Sequence, residues 1–171
     1  FDLKAAVDKA IEENLHFDSK VNIKQVIKES IERLENINAG IFLSIESCVN
    51  DKLKSFNRVV YGPSSASSEL RIKTAGSYLF TSPEDTGTGK SFAGLVGFDL
   101  AMLSLTKLPI AIHDSVIYKN IEVQAIKRIL RIVAALRSKQ IFLSFDEAKK
   151  FGPAAELLIN RFTVLKLAHN D

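Results

Sequence analysis

The sequence lacks the features of a secreted or membrane protein. It has one cysteine, Cys48, so no disulfide can form within the chain. No uncharged stretch approaches the ~20 apolar residues that cross a bilayer, and the N-terminus does not resemble a signal peptide. We therefore expect a soluble, cytoplasmic protein without a membrane partner, in which Cys48 is a small buried hydrophobe.

Repeats and low-complexity tracts are also absent, and the composition is that of a globular protein. Of the 171 residues, 46% are apolar and 25% are charged, which suits one domain with a hydrophobic core. The net charge of +3 permits an anionic partner but does not require one. Because the first residue is Phe1 rather than Met, we expect a fragment or a processed chain, which could hold only half of an active site.

The N-terminal part shows the three-to-four spacing of apolar residues that is typical of helices. One apolar stripe covers residues 23–37 and a second covers 41–56, with Gly40 at the break between them. Two helices are therefore predicted over residues 1–56. They would form either the root of an antiparallel coiled coil or ordinary packing helices.

The rest of the chain changes from helical to mixed patterning. Alternating residues predict a β-hairpin over 70–81, and a nearly all-apolar helix follows over about 89–105. Apolar runs at 110–113, 141–145 and 162–167 alternate with helices, which predicts parallel strands of one sheet. Because these runs lack polar alternation, we expect both faces of the sheet to be buried.

The predicted fold class is thus α/β. A helical N-terminal stalk and a small hairpin precede a parallel β-α-β-α-β sheet with helices packed on it. We expect residues 57–171 to form one lobe that is compact together with residues 20–56.

The end of the first predicted parallel strand is a candidate site. Ligands of open parallel sheets bind beyond the carboxyl ends of the strands, where His113, Asp114 and Ser115 fall. An apolar strand that ends in Asp is a pattern that holds Mg²⁺ beside nucleotide phosphates, although Asp114 could simply cap the following turn. A hydrolase triad is excluded, because consecutive residues of an extended segment point to opposite faces.

A glycine-rich turn is the second candidate. Its Gly-Lys-Ser ending suggests a P-loop, but Asp85 stands where a P-loop needs glycine, and Glu84 adds a second carboxylate that would repel phosphate. The turn nevertheless opens a helix, whose free N–H groups and dipole favour an anion. We therefore predict that it cradles a phosphate presented by another chain or domain. The turn consists of Thr86, Gly87, Thr88, Gly89, Lys90 and Ser91.

Basic residues follow Asp114 along the chain. They form either a solvated helix face or a surface for the DNA backbone, and without interleaved aromatic residues they do not by themselves indicate nucleic-acid recognition. These residues are Lys119, Lys127, Arg128, Arg131, Arg137 and Lys139.

The order of these features resembles the C-terminal lobe of an ABC-type ATPase head of the SMC and RecN kind. The glycine-rich turn and the helix after it look like the signature motif and signature helix. Residues 110–114 resemble the Walker B strand, and 141–145 sit where the next strand leads to the switch histidine. More closely, Phe98–Ala101, Leu108–Pro109 and His113–Ser115 look like an uncharacterised bacterial family that pairs a P-loop lobe and a coiled coil with such a domain. The resemblance covers roughly residues 20–168.

The resemblance implies a division of labour between two lobes. Asp114 would ligate Mg²⁺ and the glycine-rich turn would touch the γ-phosphate of ATP in a partner head, while the Walker A lysine would come from a P-loop lobe absent from this chain. Ser115 stands where such heads have their catalytic glutamate, and the switch position holds Phe145 or Asp146 instead of histidine. No residue is therefore assigned as catalytic, His113 and Asp146 remain further candidates, and the isolated chain is predicted to be inactive.

Three functions compete at this point. The first is the C-terminal half of an SMC/RecN-like, ATP-binding head in DNA maintenance or phage defence. Its partners would be its own P-loop lobe, a second head in a homodimer, and DNA. The alternative is a non-catalytic interaction module with a degenerate ATPase-like fold. The third is an unrelated small-molecule enzyme that uses His113 and Asp114.

Overall fold

The structure is a computed structural model that describes residues 2–82 and 87–166. The chain divides into two units, residues 1–44 and 45–171. Within the described ranges, no helix combines the length and the apolar character needed to cross a membrane. The elements are α1 (Asp2–Tyr61), β1 (Glu69–Thr74), β2 (Ser77–Thr81), α2 (Thr88–Leu105), β3 (Ile110–His113), α3 (Ser115–Lys119), α4 (Val123–Ala135), β4 (Gln140–Leu143), a 3₁₀ helix (Ala148–Phe151) and α5 (Pro153–Phe162).

The first unit consists of the N-terminal part of α1. The predicted break at Gly40 is wrong, because α1 continues through this residue. A glycine inside a helix costs only about 1 kcal/mol relative to alanine, which a helix of 60 residues can absorb. The apolar stripe of this unit is exposed, and the prediction of a coiled coil stays a prediction. Its members include Ile23, Ile27, Ile31, Leu34 and Ile37.

The second unit begins with the C-terminal turns of α1, on which the predicted hairpin packs. β1 and β2 pair antiparallel, with Leu70 opposite Phe80, so the hairpin is confirmed. The buried Asn50 side chain of α1 forms two hydrogen bonds with the backbone of β1. It donates to the Leu70 carbonyl oxygen at 3.0 Å and accepts from the Leu70 N–H at 2.8 Å. Cys48 is exposed instead of buried, because it lies outside the face of α1 that carries Val49 and Asn50 into this contact.

The core of the second unit forms around α2, which is buried along much of its length as its apolar composition predicts. Gly97 makes room for a close neighbour, since a Cβ there would lie 2.6 Å from the ring of Phe56. Tyr118 of α3 and the inward face of α4 complete the packing. The buried residues of this cluster include Val60, Val96, Leu100, Tyr118, Ile126, Ile129 and Phe151.

The parallel sheet is smaller than the sequence predicts. β3 and β4 pair in parallel, with Ile112 opposite Phe142, so two of the predicted strands do share a sheet. The third strand, over 162–167, is wrong: α5 extends to Phe162, residues 163–166 are neither helix nor strand, and Leu167 lies outside the described residues. Periodicity cannot separate a short apolar run in a strand from the end of a helix, and here the helix continues.

Only one face of this sheet is covered by the described residues. His113 is buried on the inner face, but Ile112 is 73% exposed on the outer face, beside Ile110 at 40% and Phe142 at 41%. We call these three residues the open face. The expectation that both faces are buried therefore holds for one face of the described structure, and the open face keeps the apolar character of a surface that is normally covered.

Candidate functional site

The carboxyl ends of β3 and β4 bring together polar side chains that are distant in sequence. Asp114 and Ser115 follow β3, while Ser144 and Asp146 follow β4. The Ser144 N–H donates to the His113 carbonyl oxygen at 3.1 Å, which extends the parallel pairing to this edge. We call Asp114, Ser115, Lys119, Ser144 and Asp146 the edge cluster.

Asp114 is held by two donors on one of its oxygens. Its Oδ1 accepts from the Ser144 hydroxyl at 2.8 Å and from the Ser115 N–H at 2.6 Å, so it caps α3 as one reading of the sequence predicts. The hydrogen bond from Ser144, followed by that from Ser115, lowers the pKa of Asp114 below its usual value. The carboxylate is therefore ionised at neutral pH, and it is exposed at the edge of the sheet.

The surroundings of Asp114 fit one of the ways in which proteins hold Mg²⁺. No described group of three His, Cys, Asp or Glu side chains could enclose a metal ion by itself. Mg²⁺ beside a nucleotide, however, usually takes one or two carboxylates and completes its ligands with water and phosphate oxygens. Asp114 offers one such carboxylate, and its Oδ2 receives no hydrogen bond from the described residues.

Asp146 is the second carboxylate of the edge cluster, and both of its oxygens are engaged. Its Oδ1 accepts from the buried Ser115 hydroxyl at 3.1 Å, and its Oδ2 pairs with the Lys119 ammonium of α3. The hydrogen bond from Lys119, and then that from Ser115, lowers the pKa of Asp146, while Asp146 raises the pKa of Lys119. Ser115 thus joins the two carboxylates: its N–H binds Asp114 and its hydroxyl binds Asp146.

His113 lies apart from the edge cluster, on the inner face of β3. Its Nδ1 is 2.7 Å from the Tyr118 hydroxyl, and its Nε2 is 3.1 Å from Asp99 Oδ2, a short ion-pair distance that lacks hydrogen-bond alignment. Burial, and then the charge of Asp99, raises the pKa of Tyr118. His113 and Asp114 therefore have separate partners, which gives no support to an enzyme that uses them together.

The glycine-rich turn begins α2 at a different place. Thr86 lies outside the described residues; Gly87 precedes the first helical residue, Thr88, and accepts from the Lys90 N–H at 2.9 Å. The Lys90 ammonium lies 5.5 Å from the centre of the Tyr61 ring, and Ser91 is half-buried in the first turn of α2. No described hydrogen bond or ion pair joins this turn to the edge cluster, whereas a P-loop would need Lys90 beside Asp114.

An open groove of about 320 Å³ lies beside this turn. The loop after α3 forms part of its lining. This loop lies so close to the turn that a Cβ on Gly89 would lie 2.5 Å from the Asn120 carbonyl oxygen. The groove is lined by Tyr61, Gly87, Gly89, Lys90, Asn120, Ile121 and Glu122.

Gly89→Ala should destabilise the chain by about 1–3 kcal/mol, because the new methyl group meets backbone that must move to admit it. Gly87→Ala is the matched control in the same turn, since no described atom lies within 4 Å of its Cβ position and its φ of −57° suits any residue. Urea unfolding of the variants measures the difference. Equal midpoints for both would contradict the close approach of Asn120.

Three of the six basic residues after Asp114 have partners within the fold. Arg128 donates to the Val60 carbonyl oxygen, and Lys139 donates to the carbonyl oxygens of Thr106 and Leu108. Lys119 is paired with Asp146. Several of these cations therefore stabilise the fold or the edge cluster, and the structure gives no support to a continuous DNA-binding stripe.

Sequence reasoning identified Asp114, Ser115 and Asp146 but missed the residues that connect them. Ser144 could have been found by applying the strand-end rule to the second strand as well as to the first. Lys119 is predicted to lie on a solvated helix face or a DNA surface, because nothing in the sequence places it opposite Asp146. Asp99 and Tyr118, the partners of His113, carry no sequence signal beyond the resemblance of the segment around Asp99.

This fold, with polar residues at the carboxyl edge of a parallel strand pair, is similar to part of the head domains of SMC proteins. The Smc head domain from Pyrococcus furiosus with an extended coiled coil, bound to the C-terminal domain of ScpA, is 15% identical with a TM-score of 0.50, over 77% of this chain and 37% of that one. An Smc head bound to the C-winged helix domain of ScpA is 12% identical with a TM-score of 0.50, over 70% and 39%. The chain thus spans less than half of either, and at these identities the likeness concerns the fold.

The chain belongs to the family described as "Uncharacterised protein conserved in bacteria (DUF2326)", whose model matches residues 56–171. No curated protein matches it. The predicted resemblance to SMC-type heads is confirmed at the level of the fold. The predicted resemblance to an uncharacterised bacterial family is confirmed by the family model.

Proposed function

We propose that this chain is the C-terminal lobe of an ATP-binding head, and that it completes a nucleotide site with a P-loop lobe of the same protein. The observation that carries the proposal is the open face of a two-stranded parallel sheet that ends in Asp114. Parallel strands normally lie in larger sheets with helices on both faces. Here Ile112 is 73% exposed, directly before the carboxylate at the strand end.

A P-loop lobe is the occupant that explains both halves of this observation. It would bury the open face and add strands to the unpaired edge of β3 or β4. It would also bring the phosphates of ATP to the carboxyl edge of the sheet, where Asp114 and the edge cluster lie. An ordinary docking protein would bury the apolar residues but would make no use of the second oxygen of the exposed, ionised Asp114, which remains available beyond its capping of α3.

The chain's own contribution at this site is to fix one anionic ligand. The Ser144 hydroxyl and the Ser115 N–H both donate to Oδ1 of Asp114. Oδ2 accepts no hydrogen bond from the described residues, so it remains available to a ligand. Mg²⁺ bound there would neutralise charge on the β- and γ-phosphates. The Walker A lysine belongs to the other lobe in this proposal.

The glycine-rich turn serves a second head in the same proposal. Its N–H groups at the start of α2 have no side-chain cap from Gly87, and the groove beside it is open. Exposed N–H groups at a helix start are suited to a phosphate. We propose that the turn binds the γ-phosphate held by another copy of the head, so that ATP pairs two heads, in a cytoplasmic system for DNA maintenance or phage defence.

A non-catalytic interaction module is the second candidate, and Ser115 favours it. A hydroxyl cannot replace the carboxylate base that the glutamate provides. ATP binding separates the two candidates, because a module that has lost nucleotide use should not bind ATP even after the P-loop lobe is supplied.

The isolated chain should show no ATPase activity, whereas the complete head should bind ATP in a Mg²⁺-dependent manner. Asp114→Ala should weaken binding of Mg²⁺-ATP at least about tenfold, because an interaction with a charged group is worth about 1.5–3 kcal/mol. Calorimetry on the complete head, with and without Mg²⁺, measures this loss.

Asp51→Ala is the control for this experiment, since Asp51 is an exposed aspartate of α1 far along the chain from the edge cluster. It should leave ATP affinity unchanged. Failure of the complete head to bind ATP would refute the proposal, as would turnover of ~1 s⁻¹ by the isolated chain, which is ordinary for an enzyme.

A further inference from the structure

The side chain of Ser115 positions the Asp146 carboxylate. In the resembling heads a glutamate follows the Walker B aspartate, and here Ser115 occupies that place. The Ser115 hydroxyl donates to Asp146 Oδ1 at 3.1 Å. A glutamate at position 115 would supply a carboxylate from its own side chain. Ser115 instead holds the carboxylate of Asp146 by one hydrogen bond.

We infer that Asp146, supplied by the neighbouring strand end, is the carboxylate that orients and deprotonates the water attacking ATP. Ser115 and Lys119 are its positioning residues. The inference rests on the proposed function, because it requires ATP at the edge cluster. It also removes the main argument for a non-catalytic module, since the missing carboxylate is present at another position in the sequence.

The contacts of Asp146 hold it without exhausting its capacity to accept hydrogen bonds. Ser115 engages one oxygen and Lys119 the other, whereas an ionised carboxylate has about four acceptor positions. The Asp146 side chain is 56% exposed, so water can reach it. Ser115 is itself buried and fixed by its N–H contacts with Asp114 and Ser144, which makes it a firm support.

The step balances with ATP and water as the only reactants. The water oxygen forms a bond to the γ-phosphorus, and the bond from this phosphorus to the oxygen bridging the β-phosphate breaks. The electron pair of that bond stays on ADP, and one proton of the water passes to the Asp146 carboxylate, which later releases it to solvent. Because the transition state of phosphoryl transfer is loose, orientation of the water is the larger part of this contribution.

Asp146→Asn tests the inference in the complete head with Mg²⁺-ATP. It should lower kcat by about 10²–10⁴-fold, the usual contribution of a general base. The affinity for ATP, measured by calorimetry, should change by less than about twofold, or ~0.4 kcal/mol. In sedimentation, ATP-paired heads should persist longer than those of the unchanged protein, since ATP is no longer consumed. Glu147→Gln, the same kind of change on the next exposed residue, should leave all three quantities unchanged.

Rescue separates a catalytic carboxylate from a structural one. Ser115→Glu added to Asp146→Asn should restore hydrolysis, because it returns a carboxylate to the same place from the other strand. Ser115→Ala alone should lower kcat with little change in KM, since it removes only the hydrogen bond that positions Asp146.

Each other outcome identifies which idea is wrong. If the complete head binds ATP but does not hydrolyse it, or if Asp146→Asn hydrolyses it normally, the inference is overturned and the proposed function stands. Loss of ATP binding in Asp146→Asn would make Asp146 a binding residue and would also overturn it. If the unchanged complete head binds no ATP, the proposed function fails and the inference fails with it.

Discussion

Ile112→Glu should leave the isolated chain folded but should prevent it from joining the P-loop lobe. Ile112 is 73% exposed, so the change should alter the free energy of unfolding by no more than about 0.5 kcal/mol. In the complete head the same position would be buried, and the glutamate would place an unpaired carboxylate in an apolar contact. We expect the affinity between the lobes to fall at least about a hundredfold, or ~2.8 kcal/mol.

Leu157→Glu provides a matched control, because Leu157 is 74% exposed but lies on α5 and not on the open face. Titration of one lobe with the other by calorimetry measures both variants. The proposal predicts a large loss for Ile112→Glu alone. Unchanged affinity in Ile112→Glu would show that the open face is not the surface that the P-loop lobe covers.

Gly87→Trp should have its large effect on pairing of heads. The position tolerates a side chain structurally, because its φ of −57° and ψ of 160° suit any residue and no described atom lies within 4 Å of its Cβ position. An indole there would block the approach of a phosphate to the N–H groups that begin α2. Loss of hydrogen bonds to that charged group should weaken ATP-driven pairing by about 10–100-fold.

Binding of ATP by a single head should survive this change, since no described hydrogen bond or ion pair joins the edge cluster to the glycine-rich turn. Gly76→Trp, at the open tip of the β1–β2 hairpin, is the control for a bulky residue elsewhere. Sedimentation with Mg²⁺-ATP reports pairing, and calorimetry reports binding. Loss of single-head binding with pairing competence intact would refute the role in trans.

Local patterns were enough to predict much of the fold. The hairpin, α2 and the strands β3 and β4 each depend on alternation or helical spacing within a short stretch. The run that begins at residue 162 has the same apolar character, but α5 continues to Phe162 and residues 163–166 form no strand. A short apolar run does not by itself distinguish a strand from the end of a helix. The predicted helix break at Gly40 is also wrong, because a long helix can absorb a single glycine.

The site was harder to predict than the fold, because it depends on the register of two strands. Asp114 was identifiable as the residue that ends a strand. Its contact with Ser144, and that of Ser115 with Asp146, arise only because Ile112 pairs with Phe142 and the two strand ends coincide. The apolar composition of β3 contained a further signal, since it indicated two covered faces where the described chain covers one.

The open face also has a consequence for the life of the protein in the cell. A sheet edge with unpaired backbone groups beside exposed isoleucines is a template for strands of other molecules, and such surfaces favour aggregation. Association with the P-loop lobe would stabilise the folded state, because that lobe would bind the folded form and not the unfolded one. A molecule whose two lobes have not yet joined would expose the open face, and chaperones and proteases would act on such molecules first.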